Sequence, residues 1–284
     1  MQIGFFFETQ ADVEFVNELS LSQSGNTICY TTADGTSNTT LPFSFVNDIN
    51  ELIAASEVLA VFSDKPDSLE KAKDAIRKGV HVFYGDLSKL SLNNLLAFRN
   101  LQQEINVSIS FGHSGVDLIK HLSVNKPIEG PVFIDSKRSV RNSFTVHQLN
   151  SLLTFDMATL FRLTQSSVRK VRVAVFPIDE NRLSLLNVRV ELNDSSILCY
   201  TLTNDIEPES FNINLYINGP LQVYRYSIDE PFISVAQTST ADDLLQFVEG
   251  LNIRTPIFSI ERAIDLHRLL QEVFDKLSIS VNNC

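Results

Sequence analysis

Val58 to Leu87 reads VLAVFSDKPDSLEKAKDAIRKGVHVFYGDL, and its punctuation decides the fold. An apolar run, Val58–Phe62, gives way to a polar turn with Pro66 and then to a helical segment. Gly79 closes that helix, and a second apolar run, Val80–Tyr84, follows. This is one strand–helix–strand unit, the building block of a parallel sheet covered by helices.

The same alternation extends on both sides. Gln2–Phe7 and Thr27–Thr32 read as strands, with a short helix over Ala11–Ser20 between them. Ala33–Thr40 is a polar loop, and Asn47–Ala55 is a helix for which Asn47 is the expected N-cap. A helix over Leu92–Gln103 and a strand over Asn106–Phe111 follow the central unit. Strands alternating with helices imply a parallel sheet with right-handed crossovers.

After Gly112 the pattern changes. A helix over Gly115–Leu122 and a Pro127–Gly130 turn lead into a strand, Pro131–Ser136. A longer apolar helix runs from Val146 to Leu163. Strands then succeed one another at Val171–Phe176, Ser184–Leu192, Ile197–Leu202, Phe211–Ile217 and Leu221–Tyr226. Asn193-Asp194 and Asn218-Gly219 supply tight turns. The expectation is a large open antiparallel sheet, followed by helices over Ala241–Glu249 and Ser259–Leu277. The domains expected are 1–112, with the parallel sheet, and 113–284, an α+β domain whose last helix packs back.

Composition narrows the partners. The chain has 284 residues, enough for two domains with cores of their own, and a net charge of −11. That charge argues against binding a phosphate backbone. The basic stretches, Lys137-Arg138 through Arg141 and Arg169-Lys170-Arg172, read as solvated strand ends. No run approaches the roughly 18 apolar residues of a membrane span. MQIGFFFETQ lacks a basic leader and reads as a first strand, so a cytoplasmic protein is expected. Cys29, Cys199 and Cys284 are well separated, and the first two fit buried, inert thiols in strands. No spacing of His, Cys, Asp and Glu suggests a metal site.

A nucleotide-binding half, a helix, an open sheet and a returning terminal helix together resemble the Gfo/Idh/MocA family of oxidoreductases. Ala75–Phe83, AIRKGVHVF, is similar to the family's A-l-x-x-G-k-H-V-f signature, and Val58–Ser63 to its D-A-V-x-I-A-T strand. Ser108–Leu122, Ile128–Asp135 and the closing SIERAIDLHRLLQEVFDKLS resemble the entry to the second domain and the terminal helix. The resemblance implies a Rossmann-like first domain, an NAD or NADP cofactor, a sugar or polyol substrate, and a homodimer formed through the C-terminal sheet.

The departures are as informative as the matches. The family's G-x-G-x-x-G glycines, which let backbone approach a pyrophosphate, fall on Phe7, Thr9 and Asp12. Cβ atoms then occupy phosphate space, and Glu8 and Asp12 put negative charge at a helix start, where they serve as caps. The family's E-K-P becomes Gly85-Asp86-Leu87, which removes the lysine charge. Its H-D-x-D falls on Leu153, Thr154, Phe155 and Asp156, so only the last aspartate is kept. Its T-P-x-x-x-H turn becomes Ser63-Asp64, with Ser68 at the histidine position.

The candidate catalytic positions are Asp86, His113 and Asp156, and the candidate cofactor-contacting positions are Thr9, Asp34 and Ser63. His113 and His147 lie where either can replace the missing acid/base, or serve as hydrogen-bonded structural residues. Asp34 can meet a ribose or simply belong to its D-G turn. Asp156 and Arg162 can line a site or form an intrahelix salt bridge. Three functions are compatible with these residues. One is a diverged homologue that lacks the dehydrogenase chemistry and acts by binding a small molecule or a partner, with no cofactor. Another is an active NAD(P)-dependent oxidoreductase using substituted residues. The third is a structural or regulatory protein acting through its sheet face. Nucleic acid and membrane partners are not expected.

Overall fold

The computed structural model describes residues 1–8, 27–33, 43–63, 65–112, 128, 130–140, 144–164, 166–179, 182–204, 210–217, 222–228, 243–251 and 258–282. The helices expected over 11–20 and 115–122 and the turn at 218–219 lie outside the described residues. Thirteen strands are described: β1 (Gln2–Phe7), β2 (Thr27–Thr32), β3 (Ser44–Phe45), β4 (Val58–Phe62), β5 (His81–Tyr84), β6 (Ile109–Phe111), β7 (Val132–Val140), β8 (Phe144–Thr145), β9 (Val168–Asp179), β10 (Arg182–Leu192), β11 (Ile197–Asn204), β12 (Ser210–Ile217) and β13 (Gln222–Ile228). The helices are α1 (Ile49–Ala55), α2 (Pro66–Arg77), α3 (Leu92–Ile105), α4 (Val146–Arg162), α5 (residues 243–251) and α6 (Ile260–Asn282). None among the described residues is long and apolar enough to cross a membrane.

The chain divides into two units, Met1–His113 with Ser239–Ala263, and Ser114–Thr238 with Ile264–Cys284. The segment 239–263, placed in the second domain by the sequence pattern, thus clusters with the first unit. The reason lies in its apolar face: Leu244, Phe247 and Val248 are buried in one cluster with Phe5, Phe7 and Phe83.

In the first unit, β1 to β6 form a wholly parallel sheet in the order 3-2-1-4-5-6, the doubly wound arrangement of dinucleotide-binding folds. Its central strands are apolar on both faces, as a sheet covered on both sides requires. Pro66 starts α2 where a missing N–H costs nothing. Gly79 ends it at φ +81°, with Gly79 N–H donating to Ile76 and Val80 N–H to Ala75, a double closure that favours glycine. Asp48, rather than the expected Asn47, caps α1, because its carboxylate reaches Asn50 N–H at 2.9 Å. Asn106, expected to open the next strand, instead takes the left-handed conformation and closes α3, so β6 begins at Ile109.

His81 opens β5, and its Nδ1 accepts from Ser108 N–H at 2.9 Å, which fixes the neutral ring with its proton on Nε2. Burial holds its pKa below the ordinary 6.5, against the opposing pull of Glu57. The unfolded chain therefore takes up the proton more readily. The contribution to stability is full above pH 6.5 and is lost as pH falls from there toward the lowered folded value. Urea midpoints measured between about pH 7.5 and 5.5 are expected to fall more for the native chain than for His81→Gln. Identical slopes would refute the assignment.

In the second unit the sheet has seven strands in the order β13-β12-β7-β11-β10-β8, with β9 also on β10. It is mixed rather than fully antiparallel, because β7 and β11 run parallel, Ile134 beside Leu198. Hairpin signals set neighbours in sequence, whereas β7 precedes α4 and inserts between β11 and β12. One face is buried, with Ile134 and Arg138 of β7, Tyr200 of β11 and Phe211 of β12. The other face carries ordered cross-strand rows, such as Tyr216–Phe133–Ile197–Glu191–Lys170. Cys199 lies on this second face and is only half-buried, against the expectation of a core thiol.

Candidate functional site

In an open doubly wound sheet, ligands bind outside the carboxyl ends of the strands where the strand order reverses. Here that point lies between β1 and β4, whose last residues, Phe7 and Phe62, are register partners. Their rings stack with centroids 5.6 Å apart and planes inclined by 21°. Phe5 stacks on Phe7 at 5.6 Å, and Phe83 lies 6.1 Å from Phe62. Alternation along β1 and β4 puts these rings on one face, so they form an aromatic layer ending at the reversal point.

The turn after β4 is tied to itself. Ser63 is buried, and its Oγ accepts from Ser68 Oγ at 2.6 Å and from Lys65 N–H at 3.3 Å. After β5, Asp86 caps a short 3-10 turn, Leu87–Lys89, its Oδ1 accepting from Ser88 N–H at 2.9 Å and Ser88 Oγ at 2.7 Å. Both residues therefore stand at the strand ends where the sequence places them, each engaged in local capping. Thr9, Asp12, Asp34 and His113 lie outside the described residues. His147 is within α4, and nothing is described of its side chain.

Asp156 belongs to the second unit and is wholly buried. Arg138 Nε donates to its Oδ2 at 3.0 Å, and Arg138 Nη2 forms a second, short bond to Oδ1. The Tyr200 hydroxyl donates to Oδ2 at 2.7 Å. The Arg138 guanidinium also lies 4.1 Å from the Phe211 ring centroid. Burial, reinforced by the neighbouring carboxylate, pushes the Tyr200 phenol well above its ordinary range, so it is a fixed donor. The ion pair considered with Arg162 is made instead with Arg138. Leu153, Thr154 and Phe155 are buried as well, and Thr154 Oγ1 donates back to Asn150 at 2.8 Å.

Arg138 was assigned by its sequence neighbours to a solvated strand end, yet it is 1% exposed. The missed signal was strand length: β7 runs on to Val140, and the alternation Val132, Ile134, Ser136, Arg138 then carries the guanidinium inward. Arg172 and Arg169 do face solvent, each beside Glu191, at 3.3 and 3.1 Å. The hydrogen bond from Arg169 lowers the Glu191 pKa most. Among the described residues, no three His, Cys, Asp or Glu side chains are grouped to hold a metal ion.

No family model matches the sequence, and no curated protein matches it. Solved structures do match over nearly the whole chain. A dehydrogenase (MviM) from Clostridium difficile superposes with a TM-score of 0.75 at 12% identity, covering 97% of this chain and 99% of that one. A Gfo/Idh/MocA family oxidoreductase from Vibrio cholerae gives 0.68 at 12% identity, covering 99% of each chain. GenD2 from gentamicin A biosynthesis, in complex with NAD, gives 0.72 at 10% identity, covering 100% of this chain and 95% of that one. The chain has the fold of the Gfo/Idh/MocA dehydrogenases and oxidoreductases. A parallel dinucleotide-type sheet and a second, mixed sheet are its two halves.

Proposed function

We propose that this protein is a diverged relative of those oxidoreductases that no longer carries out their hydride transfer and acts by binding a small molecule or a protein partner. The observation that carries this is Asp156, the one aspartate kept from the family's H-D-x-D. Its carboxylate is wholly buried and engaged by Arg138 and Tyr200, which fits a structural anchor rather than a group that exchanges protons with a substrate. Ser63 and Asp86 support it, since their acceptor oxygens cap the turns in which they sit. The stacked Phe7 and Phe62 rings do not fit a pyrophosphate, which needs backbone amides and open space.

A second reading is favoured by the NAD complex of the structural neighbour GenD2. It holds that the chain binds NAD or NADP and works with substituted groups. Titration with NADH and NADPH separates the two, followed by nicotinamide fluorescence and thermal shift. A ligand at 100 times its Kd stabilises the fold by about 2.7 kcal/mol, which such a titration detects readily. No saturable signal is expected from either nucleotide. Saturable binding would overturn the cofactor-free reading.

The same proposal includes a homodimer formed through the outer face of the second sheet. That face carries Phe133, 40% exposed, against Tyr216, and Phe176, 63% exposed, on β9, beside a charged centre. Light scattering is expected to give about twice the chain mass of 31.9 kDa. A monomer at all concentrations would remove this part.

A further inference from the structure

The point where the first sheet reverses its strand order is crowded by a specific pair. Gly85, the residue after β5, is buried, and its N–H donates to Val61 at 2.8 Å. A Cβ built on Gly85 would fall 2.5 Å from Phe62 Cδ1, 2.8 Å from Phe62 Cε1 and 3.2 Å from the Val61 carbonyl. No real side chain tolerates such contacts, so the Phe62 ring occupies the position where a side chain at 85 would begin. That ring also stacks on Phe7 at 5.6 Å and Phe5 at 6.1 Å, so it cannot yield without disturbing that stack.

Described amides at the ends of the strands are committed too. Ala33, past β2, donates to Phe7; Lys65, past β4, donates to Ser63 Oγ; Gly112, past β6, donates to Tyr84. With Gly85 on Val61, the four amides described just past β2, β4, β5 and β6 all serve protein acceptors. The α2 N-terminus begins with Pro66, which has no N–H to offer.

We propose that Phe62 and Gly85 are a volume-matched pair that closes the reversal point of the sheet to phosphate-bearing dinucleotides, a specificity device that acts by exclusion. This rests on the cofactor-free reading above and names the residues that enforce it. An aromatic ring there takes up space that a pyrophosphate requires.

The test is a double-mutant cycle on the full chain, Phe62→Ala, Gly85→Ala and both together, with NADH and NADPH titrations of the native protein. Gly85→Ala is expected to lower the unfolding midpoint by about 5 °C in the native background, as overpacking does. In the Phe62→Ala background it should lower the midpoint by less than about 2 °C, since the obstructing ring is gone. Should Gly85→Ala alone fail to fold, a folded double variant establishes the coupling and an unfolded one refutes it. Equal costs in both backgrounds with silent nucleotides would sink the pair while leaving the cofactor-free reading intact. Saturable NADH binding by the native protein would sink both.

Discussion

Replacing Asp156 with alanine is expected to cost about 3–5 kcal/mol of folding stability, the loss typical of a buried ion pair stripped of one partner. The magnitude follows from what remains. Arg138 is 1% exposed and sits between α4 and the sheet; without Asp156 its guanidinium is left buried with its main counter-charge gone. Tyr200 loses its acceptor at the same moment. Tyr200→Phe, which keeps the ring and the ion pair, should cost only about 1.5 kcal/mol. A triple variant, Arg138→Met, Asp156→Leu and Tyr200→Phe, removes both charges and the hydroxyl they hold, and should return to within about 1 kcal/mol of the native chain. Urea denaturation with a constant slope checks all three. If Asp156→Ala costs below about 1 kcal/mol, as for an exposed pair, Asp156 is not the buried anchor described, and its role as a working acid must be reopened.

Phe83→Ala should cost a similar 3–5 kcal/mol, for a different reason. The ring is fully buried in the first unit, 6.1 Å from Phe62 and 6.0 Å from Phe247 of α5. Its removal leaves a cavity beneath α5 and deprives the aromatic layer of its third strand. Hydrogen exchange should therefore quicken in β1, β4, β5 and residues 243–251 together. Exchange confined to β5 would show that segment 239–263 is not held by this cluster.

These effects were unequally visible in the sequence. Gly79 announced the end of α2 because one residue type best suits its positive φ, and the apolar runs of β4 and β5 announced themselves because both their faces are covered. The local signals at Asn47 and Asn106 were real but displaced: Asp48 offers a better cap one residue on, and Asn106 closes a helix instead of opening a strand. Ser63 and Asp86 could be located at the strand ends, yet not the acceptor roles that occupy them. Those roles depend on turn geometry a few residues long.

Local pattern and composition thus determined the strand–helix alternation, the parallel sheet of the first unit and the strand-rich second unit. Each depends on neighbours within one turn or one strand, where periodicity and backbone sterics act. Only tertiary structure decided that β7 lies parallel to β11, that Arg138 finds Asp156 and Tyr200, and that Phe62 rests where a side chain at 85 would start. These are meetings of residues 18 to 44 positions apart in sequence (Arg138 to Asp156, Asp156 to Tyr200) or on different strands, set by strand order and by which face each chain turns inward. A buried charge must find its partner and a packed ring its space, and no local signal records where either will be.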